Sequence, residues 1–205
     1  MKSLDLRKLP VYWITIEPNK DRHERMESLF STLGFENTTR LTGEHIDKVN
    51  KSYMDIQYEK THKVSDTHVI ALQNEGPLII LEDDVWFTED WNPIVTVEDD
   101  LDALYLGFSN WGMKDGADGM NQTQIEKKRD NYYKIKGMLG IHAILYLTEE
   151  YKQVTINNFE RAKNEKSYCD IPVAEDLENH NVLGLFPPLF YQKDGRNDEV
   201  TRRFL

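Results

Sequence analysis

Short apolar runs and helically spaced apolar stripes alternate along this chain. Val11 to Ile16 is a run of β-branched and aromatic residues, which predicts a strand. Pro18 and Asn19 break it. Asp21 and Glu24 then form a capping-box pattern, Met26, Leu29, Phe30 and Leu33 fall at helical spacing, and Gly34 supplies a stop. Asn37 to Leu41 reads as a second, shorter strand with a turn at Thr42-Gly43. Asp47 to Lys60 is weakly patterned and reads as loop or helix. Thr61 to Asn74 predicts a helix, with Val64, Thr67, His68, Ala71 and Leu72 on one face and Gly76 beyond its end.

The next segment is Pro77-Leu78-Ile79-Ile80-Leu81-Glu82-Asp83-Asp84-Val85. Four large apolar residues in a row predict a strand buried on both faces. Three carboxylates follow where that strand leaves the sheet. Adjacent acids repel one another and resist desolvation, so their place after an apolar run points to a cation. Ligands of open α/β sheets sit beyond the carboxyl ends of strands, and hard oxygen donors suit Mg²⁺ or Mn²⁺ shared with a phosphate-bearing substrate. Two other acid clusters have ordinary readings. Glu98-Asp99-Asp100 follows no apolar run and reads as a surface turn, and Glu175-Asp176 opens a helix, where acids favour the macrodipole.

Further along, Asp102 to Phe108 predicts another buried strand. Ser109 to Asp130 is rich in Gly, Asn and charge and is long enough for a mobile active-site loop. Tyr132 to Lys136 reads as a short strand, and Gly137 to Leu147 as a glycine-punctuated apolar segment. Thr148 caps a helix to about Ala162, Asp170 to Asn181 is a turn and helix, and Val182 to Tyr191 is a last strand interrupted by Pro187-Pro188. Strands alternating with helices predict an α/β class with a mixed, mostly parallel sheet flanked by helices. The expected organisation is one domain over 1–205, with a core at about 10–192 and a polar tail at 193–205.

Composition narrows the function. The charged share is 30 % and the formal net charge −11, which argues against sequence-independent binding to nucleic acid or anionic membranes. The likeliest exception by charge is the tail from Arg196 to Arg203. The lone cysteine, Cys169, rules out an internal disulfide framework and argues against a cysteine zinc site. Met1 to Leu9 lacks the apolar core of a signal peptide, and no stretch reaches membrane-spanning length. A cytoplasmic location is the expectation, including a host cytoplasm if the gene is viral or phage-borne.

Four blocks resemble the family-25 glycosyltransferases, the group of lipooligosaccharide and procollagen galactosyltransferases. They are Val11 to Ile16 followed by Asp21-Arg22 and Arg25-Met26; Val64-Ser65-Asp66-Thr67-His68; Ile80-Leu81-Glu82-Asp83-Asp84-Val85, against the family's "iLEDDv"; and Gly137 to Leu147 with Pro172 to Gln192, ending in Pro187-Pro188-Leu189. The chain departs in three places. Thr15-Ile16-Glu17 replaces the usual Asn-Leu, two residues separate Ser65 from His68, and the acid of the family's "P.D" element is displaced.

The resemblance implies a GT-A fold, a Rossmann-like sheet that binds a nucleotide-sugar, and a DxD-type metal motif. It further implies a UDP-sugar donor, Mn²⁺ or Mg²⁺, and transfer of galactose or glucose to a glycan or other hydroxyl acceptor with inversion. Asp84 is the first choice for direct metal contact, with Asp83 beside it. Glu82 and Asp83 would hold the ion through water, hold the ribose, or orient Asp84. Tyr12, Ile14 and Arg22 would lie at the nucleotide. Glu175 or Asp176, in an "xED"-like element, or Asp170 would be the general base that takes the acceptor proton. His68 reads as a core histidine and His142 as a packed residue on the acceptor side. Trp86 and Trp111 are candidate sugar platforms but more commonly core. Gln192 or Asp194 would complete the metal shell. Two other functions compete: a Mg²⁺-dependent nuclease or phosphotransferase using the same acids, against which the charge and the lack of a glycine-rich phosphate loop count, and a sugar-nucleotide-binding module without catalysis. The oligomeric state is left open.

Overall fold

The computed structural model describes residues 1–15, 20–44, 46, 50–109, 111–115 and 121–192, with backbone alone at 111–115 and 121–122. The Pro18-Asn19 break, the start of the weakly patterned stretch at Asp47, the Trp111 side chain, Asp194 and the arginine-bearing tail lie outside the described residues. In chain order the elements are β1 (Lys2–Asp5), β2 (Pro10–Thr15), α1 (Lys20–Leu33), β3 (Asn37–Thr42), α2 (Tyr53–Leu72), β4 (Leu78–Glu82), β5 (Val85–Phe87), β6 (Ile94–Val97), β7 (Ala103–Tyr105), β8 (Trp111–Asp115), β9 (Asn121–Gln122), β10 (Gln124–Arg129), β11 (Tyr132–Gly137), β12 (Ala143–Tyr146), α3 (Glu149–Glu165), α4 (Asp170–Asp176), β13 (Val182–Leu185) and β14 (Phe190–Gln192).

Within the described residues the fold is an eight-stranded sheet in the order β10-β11-β13-β7-β12-β4-β2-β3, with helices on both faces. The expected α/β class with a mixed, helix-flanked sheet is what forms. Its parallel share is smaller than expected. Pairings β13–β7, β4–β2 and β2–β3 are parallel, and the other four are antiparallel. The difference centres on β12, which inserts antiparallel between β7 and β4, and on the β10–β11 hairpin at the edge.

Strand periodicity assigns the two faces. Val11 and Trp13, Ile79 and Leu81, Leu104, Leu145 and Leu183 point to one face and pack with Met26, Leu29, Phe30 and Leu33 of α1. Ile14, Leu78 and Ile80, Tyr105, Ile144 and Tyr146 point to the other and pack under α2, α3 and α4, against Ala71, Phe159 and Val173. Leu78 to Leu81 have no exposed surface. An apolar run without alternation is thus the mark of a strand with a core on each side.

Three local outcomes differ from expectation. The helix predicted from Thr61 begins at Tyr53, because Ser52 and Asp55 close a reciprocal capping box there. The long segment expected as a mobile loop contributes β8, β9 and the edge strand β10. The last strand is two strands, β13 and β14, with a cis Phe186-Pro187 bond between them. β14 leaves the main sheet and pairs antiparallel with β5. Among the described residues, no helix is long and apolar enough to cross a membrane.

Candidate active site

β2, β4 and β7 end at the same edge of the sheet, and the antiparallel β12 begins there. That edge carries the acid triplet. Glu82 N–H donates to the His142 carbonyl at 2.9 Å and Asp83 N–H to the Ile14 carbonyl at 3.0 Å, so the sheet ladder continues into the turn. Arg25 of α1 fixes the turn from below. Its guanidinium donates to the backbone carbonyls of Asp83 and Val85 and lies 4.7 Å from the centre of the Trp86 ring. Burial lowers the Arg25 pKa, while Asp84 and Asp83 oppose that shift.

The three acids have different partners. Asp83, 7 % exposed, is paired with Arg22 at 2.6 Å. Glu82 and Asp84 converge on the side-chain amide of Gln192, whose Nε2 donates to Glu82 Oε2 at 3.2 Å and to the two Asp84 oxygens at 3.1 and 3.3 Å. Burial pushes the Glu82 carboxyl well above its ordinary value, and the charges of Asp84, Asp170 and Asp83 push it further. His68 lies behind it, with Nε2 3.5 Å from Glu82 Oε1. Burial drives the His68 imidazole down to about 3, so it stays neutral, edge-on to Phe159.

A fourth acid faces the same space. Asp170 begins α4 and accepts from Gly140 N–H at 3.0 Å. Burial raises its carboxyl above the usual range, against the pull of the N–H groups of Asp170 and Gly140. Three adjoining cavities connect these groups. A cavity of about 100 Å³ lies between Ile14, Arg22, Lys60, Val64 and the acid triplet. The middle cavity, about 280 Å³, shares Lys60, Val64 and Glu82 with it and reaches Asp170 and Gln192. The outer one, about 330 Å³, shares Gly140, Tyr168, Asp170 and Gln192 with the middle one and ends at Ser109 and Leu139.

The cleft thus gathers Ile14, Arg22, Glu82, Asp83, Asp84, Asp170 and Gln192. It does not gather Tyr12, which sits opposite Ile80 in the ladder and packs on the helix-covered core. Nor does it reach the other two candidate bases. Glu175 is paired with Arg161 of α3. Asp176 accepts from Asn158 at 3.1 Å and from Asn179 at 2.9 Å. Burial would raise the Asp176 carboxyl, but those hydrogen bonds and His180 outweigh it and hold the group low. Both lie at the far end of α4, about 7.5 Å (Glu175) and about 9 Å (Asp176) along the axis from Asp170 by helical rise. His142 is buried, with its imidazole pushed down to about 4. Trp86 is taken up by Arg25.

Lys60 and Tyr168 are among the cleft residues missed from sequence, with Gln57 and Thr61 beside them. The signal for Lys60 was present. Gln57, Lys60, Thr61, Val64 and His68 fall on one helical stripe, which becomes visible once Ser52 and Asp55 are read as the cap. Among the described residues, no group of three or more His, Cys, Asp or Glu side chains forms a ready metal site.

No protein-family model matches this chain, and no curated protein does. Solved structures do resemble it. A glycosyltransferase involved in the glycosylation of the major capsid of PBCV-1 is 8 % identical, with a TM-score of 0.48 over 96 % of this chain and 98 % of that one. A nucleoside-diphosphate-sugar pyrophosphorylase from Vibrio cholerae is 10 % identical, with a TM-score of 0.46 over 88 % and 73 %. A CTP:phosphocholine cytidylyltransferase from Streptococcus pneumoniae is 9 % identical, with a TM-score of 0.45 over 97 % and 100 %.

Proposed function

We propose that this chain is a GT-A-type glycosyltransferase that moves a hexose, galactose or glucose, from a UDP-sugar to a hydroxyl acceptor. The observation that carries this reading is a single cleft at the sheet edge, with two cation-ready carboxylates on one side and a separate buried carboxylate on the other. Glu82 and Asp84 fit a divalent cation. They face each other across one amide. Besides burial, which raises Glu82 most, the neighbouring charges of Asp84, Asp170 and Asp83 raise it further, a charge excess that a cation would relieve. Substrate oxygens would supply its remaining positions. Bound there, Mn²⁺ or Mg²⁺ neutralises charge that develops on a diphosphate leaving group.

The protein's own groups divide the remaining work. Arg22 and Ile14 line the inner cavity, where the nucleotide belongs. Arg25 keeps the acid turn rigid through its two backbone carbonyls. Asp170 is the general base, since among the described residues it is the carboxylate outside the triplet that lines the cleft, and burial raises it in the direction that favours taking up a proton. Gly140 N–H orients it.

The test is transfer from UDP-galactose or UDP-glucose with Mn²⁺ and a mixed saccharide acceptor pool. Asp170→Asn should lower transfer about 100-fold or more while leaving UDP affinity nearly unchanged. Wild-type protein that turns over neither donor, or an Asp170→Asn variant as active as wild type, would contradict the assignment.

A further inference from the structure

One side of the cleft carries a cation that the chemistry above does not use. The α2 stripe of Gln57, Lys60, Thr61, Val64 and His68 runs down the wall opposite the acids. His68 meets Glu82, Thr61 donates its hydroxyl to Cys169 at 3.0 Å, and Lys60 is the exposed member of the stripe. Lys60 lines both the inner and the middle cavity, together with Val64 and Glu82. Its charge is felt at Glu82, where it partly offsets the push from the neighbouring acids. Among the described residues, Lys60 makes no hydrogen bond or ion pair. The other two cations at the triplet are committed, Arg22 to Asp83 and Arg25 to backbone carbonyls.

We propose that Lys60 is the specificity-determining residue for a diphosphate, the group that discriminates a nucleoside diphosphate from a monophosphate at this site. The inference rests on the glycosyl-transfer reading and adds a residue and a selectivity to it. A lysine ammonium is a compact charge on a flexible stem, with three donors for phosphate oxygens. Lys60 lines both the cavity of the acid triplet and the one that reaches Asp170, so a ligand extending from one into the other would lie beside it. A diphosphate met by a cation at Glu82 and Asp84 would lie in the cavity that Lys60 also lines. A cation opposite carboxylates favours a ligand that carries more negative charge, and charge-assisted hydrogen bonds to phosphate are the strong kind.

The experiment is titration calorimetry of the full chain with uridine, UMP and UDP in the presence of Mn²⁺, on wild type, Lys60→Met and Lys60→Arg. Wild type should bind UDP at least about 10-fold tighter than UMP. Lys60→Met should lose most of that ratio with uridine affinity unchanged, and Lys60→Arg should recover part of it. An unchanged melting temperature would show that the exposed substitution leaves the fold intact. If wild type binds UDP with the expected preference and Lys60→Met keeps it, the Lys60 inference falls and the transferase reading stands. Wild type that binds UDP no tighter than UMP overturns the Lys60 inference directly. Wild type that binds no UDP at all overturns both.

Discussion

At the scale of single residues, the acid triplet shows how neighbours in sequence take different roles. Glu82 ends the strand, Asp83 turns onto Arg22, and Asp84 turns back to meet Glu82 at Gln192. Sequence placed the acids at a strand end, and the family resemblance put Asp84 first with Asp83 beside it. The partners that set Asp83 apart from Glu82 and Asp84, Arg22 and Gln192, lie far away along the chain. Sequence could not choose among Asp170, Glu175 and Asp176. All three sit on α4, and only burial and the partners on α3 separate them. The raised Glu82 carboxyl has a consequence for stability. Its folded-state value lies above the unfolded one, so the folded state keeps a proton to higher pH. The associated stabilisation is full below the ordinary carboxylate range and is lost as pH rises through the folded value. Without divalent cations, Glu82→Gln should therefore flatten the fall in melting temperature from about pH 5 upward. Parallel melting curves for the two proteins would show that Glu82 carries no such strain.

At the scale of elements, legibility followed the strength of the pattern. The α1 stripe of Met26, Leu29, Phe30 and Leu33 and the unbroken apolar run of β4 were readable because burial enforces them on every turn or residue. The N-terminal half of α2 was not. Its residues from Tyr53 to Lys60 are largely exposed or half-buried, so a capping box and not an apolar stripe marks its start. The break between β13 and β14 was legible at Pro187-Pro188, but the pairing of β14 with β5 was not, because it depends on a partner distant in the chain. That β5–β14 pair brings Gln192 to the acids, and Arg25 of α1 holds the turn between β4 and β5. Arg25→Met should leave two carbonyls without their charged donor. The expected cost is roughly 2 kcal/mol of stability in denaturant unfolding, together with weaker UDP binding. A variant as stable as wild type would mean that the turn is held by the β4–β5 backbone alone.

At the scale of the whole molecule, topology explains why the site lies where it does. Parallel β2 and β4, with antiparallel β12 beside them, bring Ile14, Glu82 and the Gly140 segment to one edge. α2 and α4 then close over that edge and supply Lys60 and Asp170. The alternation of strands and helices was enough to read the class. The antiparallel share was not readable, since a strand's direction is set by its partners and not by its own residues. The central claim is that this edge binds a nucleoside diphosphate together with a divalent cation. The most direct measurement is thermal unfolding with UDP and Mn²⁺, separately and together, on wild type and Asp84→Asn. A ligand that binds only the folded state raises the melting temperature by mass action. The expected result is stabilisation that needs both ligands and disappears in Asp84→Asn. No stabilisation by UDP with or without Mn²⁺, or an equal shift in the variant, would contradict the claim.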